Sequence, residues 1–307
     1  MKRPKRNLKW WLRAVYLGLK HPGLVFIKIH YAIARSVSDF LARLNYYDYP
    51  HKVIFLAGMP MSGTTWVKGL VAQMPGYHSR PSKTPYEIGY RQDISAETFR
   101  NVPKHAYTLF KTHMNPKPEN LKILSDNGVD KVVITYRDLR DVVVSRYYRL
   151  VDSPKPDNAP DKVDYLKLSK EEAINDSIEK VGTHYVPWIK DWKKLADENP
   201  EKYMLVKYEE MKKDTKRIFK EILAFYNIKL EEQKIEAFLE NAKGKKSFKK
   251  NNEASMILPF GISSNFRSGK SGHWKEELTG PQIEKCKEYM GGILIELGYE
   301  ENLNWEL

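Results

Sequence analysis

The segment VIFLAGMPMSGTTW, residues 53–66, runs from an apolar, β-branched stretch through two glycines and a proline into a helical pattern. Val53 to Ala57 reads as a buried strand, and Thr65 to Met74 reads as the helix that follows it. The first turn of a helix carries N–H groups without intrahelical acceptors and a partial positive charge. Backbone donors from Ser62 to Trp66 are therefore expected to face an anion, with Gly63 allowing close approach and the hydroxyls of Ser62, Thr64 and Thr65 adding to them. Against the nucleotide pattern G-x4-G-K-[ST], Gly58, Gly63 and Thr65 fit, but Thr64 takes the place of the lysine. A nucleotide kinase uses that lysine on its β- and γ-phosphates, so the segment argues against one without removing it as the alternative. Taken alone, the segment also suits an ordinary strand-to-helix turn.

The same alternation recurs outward from this segment. Short β-branched or aromatic runs occur at Tyr107 to Thr112, Lys131 to Tyr136 and Tyr203 to Val206, and helical patterns follow at Leu139 to Leu150 and Thr215 to Tyr226. Strands separated by helices predict a parallel sheet covered on both faces, hence an α/β domain with a P-loop-like phosphate-binding loop. We assign it to residues 51–307, preceded by a basic helical segment over 1–50 that packs on the body. Ligands of such sheets collect at the carboxyl ends of the strands. Polar stretches at Gly76 to Asp93, Asp152 to Ser169 and Ala242 to Gly272 are expected to be loops over that end.

Four further segments carry chemistry: KTHMNP at 111–116, TYRDLRDVVVSRYY at 135–148, VKYEEMKKD at 206–214 and NFRSGKSGHWKEELT at 265–279. With SGTTW, and in this order, they resemble the cytosolic-type sulfotransferase family over about Lys52 to Leu297. The resemblance implies transfer of a sulfuryl group from 3′-phosphoadenosine 5′-phosphosulfate (PAPS) to a hydroxyl or amine, leaving PAP, with no metal expected. It implies a 5′-phosphosulfate loop of Ser62, Gly63, Thr64, Thr65 and Trp66. The 3′-phosphate would be held by Arg137, Ser145, Arg267, Ser268 and Gly269, and Tyr208 would lie beside adenine with Trp66 on the other side. Arginine can hold a phosphate through two parallel bonds; Arg137 can equally pair with Asp138 or Asp141 at the helix start. His113 would be the general base and Lys111 the group that balances negative charge as transfer proceeds. Trp66 and Tyr208 also suit the core.

The sequence departs from the family at two lysines. Met61 follows Pro60 where lysine is usual, and Ser268 replaces the lysine after Arg267. Met61 is the sequence support for a catalytically impaired nucleotide-binding module. SFKK at 247–250 is a weaker echo of a cofactor-covering segment. KEELTGPQIE keeps Lys275, Thr279 and Glu284 of a short dimer motif but has Gly280 where valine is usual, so a homodimer and a simple helix start both stay open.

The net charge of +13 is unevenly spread. Residues 1–35 carry nine Lys and Arg with no acid before Asp39, which leaves +4 for the rest of the chain. A nucleic-acid partner is therefore not required. Leu8 to Leu19 reads as a basic amphipathic helix, followed by a second helix to about Leu44. Packing on the body is the reading we favour for residues 1–35, beside a peripheral membrane contact. One cysteine, Cys286, and no apparent leader suggest the cytoplasm. The acceptor is expected to be a small or lipid-like molecule. Tyr86, Tyr90, Tyr147, Tyr148 and Phe260 are candidates to line its pocket.

Overall fold

In the computed structural model, the residues described are 16, 19–20, 22–82, 93–100, 102–152, 165–244 and 271–306. The strands are β1 (Val53–Gly58), β2 (His78–Ser79), β3 (Thr108–Thr112), β4 (Val132–Tyr136) and β5 (Tyr203–Lys207). They form one parallel sheet in the order β2-β3-β1-β4-β5. Register pairs Val53 with Thr108, Phe55 with Val132, and Val132 with Tyr203.

Side chains alternate across a strand, so each strand serves two cores. Phe55, Ala57, Phe110 and Ile134 point to one face and Ile54, Leu56, Leu109 and Val133 to the other. On the first face lie α5 (Leu139–Asp152), α6 (Lys170–Glu198) and α11 (Gly280–Glu296), which supply Val143, Ile178, Trp192 and Ile293. The second face is covered by α2 (Thr64–Val71) and α8 (Thr215–Phe225), through Val67, Leu70, Phe219 and Ile222. Burial on both faces explains why the strands read as continuous apolar runs. The expected α/β fold, with its central parallel sheet and helices on both faces, is the fold observed.

Before β1 lies α1 (Pro22–Arg43). The remaining helices are α3 (Glu97–Arg100), α4 (Pro118–Asp126), α7 (Tyr208–Lys213), α9 (Glu232–Gly244) and α10 (Trp274–Glu277). Two elements differ from the sequence reading. The stretch expected to be a loop from Gly76 contains β2, whose two residues pair with Thr108 and Leu109. Helix α6 spans 29 residues behind a capping box of Ser169 and Glu172; the sequence reading had not assigned it. At the C-terminal motif, Pro281 lies in the first turn of α11 and the Gln282 side chain accepts from Thr279 N–H at 3.0 Å, which is helix-start chemistry.

The chain leaves β1 for β2 and β3 on one side, then crosses to β4 and β5 on the other. That reversal opens a crevice at the carboxyl ends of β1, β3 and β4.

Candidate active site

The loop from β1 to α2 is shaped from inside. Ser62 and Thr64 are buried, and their hydroxyls face Thr135 of β4. Ser62 Oγ lies 2.6 Å from the Met59 carbonyl and 2.7 Å from Thr135 Oγ1, and Thr64 Oγ1 lies 2.7 Å from the same Thr135 oxygen. These are loop-setting contacts, so of the three hydroxyls expected at the anion, Thr65 is the exposed one. A Cβ on Gly58 would sit 1.9 Å from Thr64 Oγ1, so this glycine makes room for the hydroxyl cluster. Gly63 has φ +82°, and a Cβ there would stand 2.8 Å from both the Met211 methyl and the Tyr208 ring. Its roles are a left-handed turn and close approach to α7.

The donor set is narrower than expected. Ser62 N–H donates to the Met59 carbonyl at 3.2 Å, and Trp66 N–H to the Gly63 carbonyl at 2.8 Å. Gly63, Thr64 and Thr65 N–H have no acceptor among the described residues. Three adjacent donors at the start of α2 therefore face the crevice. Met61 has φ +68° and packs against the apolar cluster on the first face of the sheet.

Lys111 and His113 stand at the end of β3, separated by buried Thr112. Lys111 Nζ donates to Thr65 Oγ1 at 2.9 Å, which joins β3 to the loop. Burial, with Lys68 and Arg149 nearby, pushes the Lys111 ammonium down to about 8. The His113 imidazole is pushed down to about 3 by burial and the Lys111 charge, with Arg149 adding to the effect. His113 is thus neutral near pH 7, and its Nδ1 hydrogen-bonds the Gly58 carbonyl. Donation by Nδ1–H leaves a lone pair on Nε2. The next residue is anchored firmly: the Trp188 and Trp192 indoles of α6 both donate to the Met114 carbonyl, at 2.8 and 3.3 Å.

At the end of β4, Arg137 reaches Ser145 Oγ at 3.3 Å across the first turns of α5, and Asp141 Oδ2 at 3.1 Å. The pairing with Asp141 is thus present, and Ser145 lies beside the same guanidinium. Its guanidinium lies 4.6 Å from the centre of the Tyr208 ring. Asp141 also accepts from Gly272 N–H at 2.9 Å and Trp274 N–H at 3.1 Å, tying the described end of the 265–279 segment to Arg137. Trp66 and Tyr208 meet edge to face, 6.3 Å apart at 70°, which leaves no parallel slot between the two rings for a base.

Ser62, Gly63, Thr64, Thr65, Trp66, Lys111, His113, Arg137, Ser145 and Tyr208 are thus grouped around one crevice by β1, β3, β4 and β5. Arg267, Ser268 and Gly269 lie outside the described residues, as do Tyr86, Tyr90, Phe260 and the SFKK stretch. The sequence reading names Asp141 as a partner of Arg137 but not its bonds to Gly272 and Trp274. It missed the roles of Thr135, Lys68 and Arg149, which follow no short motif. No group of three or more metal-ligating side chains occurs among the described residues.

A strand-loop-helix anion cradle at the switch point of a parallel sheet, beside a neutral histidine and a lysine, defines a P-loop-like α/β group-transfer protein. The chain matches the sulfotransferase domain family over residues 51–299 and belongs to it. Relatives include flavonol 3-sulfotransferase of Flaveria bidentis, 28% identical over 76% of this chain and 78% of the relative. Sulfotransferase 1A1 of Canis lupus familiaris is 28% identical over 86% of this chain and 88% of the relative. The fold is also that of mouse sulfotransferase SULT7A1 complexed with PAP, at TM-score 0.58 and 20% identity over 85% of this chain and 93% of that one. Retinol dehydratase in a complex with retinol and PAP aligns at TM-score 0.53 and 20% identity, covering 81% of this chain and 83% of the other.

Proposed function

We propose that this chain transfers a sulfuryl group from PAPS to the hydroxyl or amine of a small or lipid-like acceptor and releases PAP. The observation that carries this reading is the meeting of the three free N–H groups of Gly63, Thr64 and Thr65 with Lys111 and neutral His113. The residues suit an anionic adenine nucleotide: a donor cradle at α2, and Arg137 with Ser145 at the start of α5 for the 3′-phosphate. Trp66 and Tyr208 each offer an aromatic surface to adenine, one ring edge-on to the other.

In this mechanism the bound donor supplies the sulfuryl group. His113 Nε2 takes the proton of the acceptor as its oxygen or nitrogen attacks sulfur, and Lys111 stabilises the charge left on the phosphate oxygen. The imidazolium then passes its proton to solvent. Lys68, three residues after Thr65 and so on the same side of α2, adds a cation that lowers the Lys111 pKa. It compensates for Met61. Transfer of this kind relies on positioning and charge, and the singly charged sulfuryl group makes a metal unnecessary. Acceptors in the class of the flavonols and retinol that name the relatives fit this reading. A cytoplasmic setting is in keeping with a relative named cytosolic sulfotransferase 12 of Arabidopsis thaliana.

Thr64 separates this reading from a nucleotide kinase, because it stands where a kinase needs a lysine for its β- and γ-phosphates, and its hydroxyl lies 2.7 Å from Thr135 Oγ1. The test is calorimetry on Arg137→Ala with PAP and with its analogue lacking the 3′-phosphate. PAP binding is expected to weaken by about 2 to 5 kcal/mol and analogue binding to change little, because one charge-assisted phosphate contact is lost. Equal losses for both ligands would remove the assignment.

A further inference from the structure

Helix α1 is mounted with its polarity reversed. Toward the body it presents polar groups: Tyr31 Oη donates to the Ser79 carbonyl at 2.9 Å, Ser38 Oγ lies 2.8 Å from His78 Nε2, and Asp39 pairs with Arg80 at 2.6 Å. Ala42 enters the core, but the larger apolar side chains form a stripe that points away. Phe26, Ile29, Ile33, Val37, Phe40 and Leu44 are between 51% and 71% exposed. Their steps of three and four residues hold them within a sector about 80° wide, along a helix about 33 Å long. A helix that packs on a core buries this face. Here the body already has its contacts on the other side, so the stripe is left for something outside the domain.

The geometry points to an acidic lipid surface as the occupant of this stripe. Charge decides between that and a second copy of the chain. Residues 1–35 carry nine basic residues and no acid, and the first acid, Asp39, is already paired with Arg80. Two such segments brought face to face would repel one another, whereas acidic headgroups attract them. An apolar stripe on a helix that ends a strongly basic segment suits a helix lying in the plane of a membrane interface. No described helix is long and apolar enough to cross the membrane, so α1 lies on the surface. The inference does not depend on the sulfotransfer reading.

The experiment is co-sedimentation of the full chain with vesicles of phosphatidylcholine alone and with about 30 mol% phosphatidylserine, at low and high salt. Binding is expected to be at least roughly tenfold stronger to the acidic vesicles and to fall with salt. The double substitution Phe26→Gln with Phe40→Gln is expected to weaken it by roughly tenfold or more while leaving the melting temperature unchanged, because both side chains are exposed. Equal binding to both vesicle types would overturn the proposal. So would wild-type affinity in the double variant, or a dimer in sedimentation velocity that the double variant dissolves.

Discussion

The two sides of the crevice are built on opposite principles. Around Thr135, between β1 and β4, the hydroxyls of Ser62 and Thr64 are bonded within the protein, and two glycines leave the space that those bonds need. At the end of β3, burial and the nearby charges of Lys68 and Arg149 depress Lys111, and no carboxylate pairs with these three among the described residues. The hydroxyls of the first side are satisfied without a ligand; the cations of the second are not. A cluster of like charges is costly alone and is relieved by the ligand it awaits, so the functional information sits on the unsatisfied side.

The sharpest way to break this contrast is to remove the base. His113→Ala is expected to lower kcat by roughly 10² to 10⁴ while leaving donor affinity nearly intact, measured with one acceptor by initial rates and calorimetry. An unchanged rate would remove the mechanism. The pH profile refines the same point. With His113 at about 3, the base stays unprotonated through neutral pH, so kcat/KM should show no acid limb near an ordinary imidazole value. Lys111 at about 8 is charged below that pH and neutral above it, so kcat/KM should decline as pH rises past 8. A rise between roughly pH 5 and 7 would show an ordinary histidine instead.

The satisfied side should respond in stability. Gly63→Ala places a methyl 2.8 Å from Tyr208 and Met211 at a φ that L-residues avoid, and is expected to cost about 1 to 3 kcal/mol, read as a lowered melting temperature. Gly69→Ala is the control. Nothing lies within 4 Å of its added Cβ in α2, so it should be neutral or stabilise by up to about 1 kcal/mol. Equal effects at both positions would dissolve the contrast.

These two sides were not equally legible from residues alone. Four of the five strands were found within a residue or two, because burial on both faces makes them continuous apolar runs between turn residues; β2, two residues long, was read as loop. Lys111, His113, Arg137 and Ser145 were singled out because their segments resemble motifs of the family, and the fold brings those segments to the ends of β3 and β4. What escaped was tertiary. That Ser62 and Thr64 turn inward is decided by Thr135, some 70 residues away, which no local pattern encodes. Lys68 and Arg149 lie on α2 and α5 and meet Lys111 only when both helices pack against the sheet. The reversed polarity of α1 was invisible for the same reason, since its periodicity identifies an apolar face without saying what that face meets.

The smallest expected effect lies at the boundary between the two sides. Met61→Lys should raise turnover or tighten donor binding by less than roughly tenfold, measured in the same assay as His113→Ala, because Lys68 already supplies charge near Lys111. The substituted side chain must also give up the packing of Met61 against the core. A large gain would show that Lys68 does not compensate.

Asp141 bears on the timing of the cycle. Its carboxylate holds Arg137 with one oxygen, while both oxygens take backbone N–H groups from Gly272 and Trp274. Its side chain is therefore fixed in place beside the arginine proposed to receive a phosphate. Donor and spent nucleotide share that phosphate and differ only in the group transferred, so whatever tightens one at Arg137 also slows departure of the other. On the proposed reading, a built-in competitor for the guanidinium would loosen both together, and so would shorten the residence of the spent nucleotide between one turnover and the next.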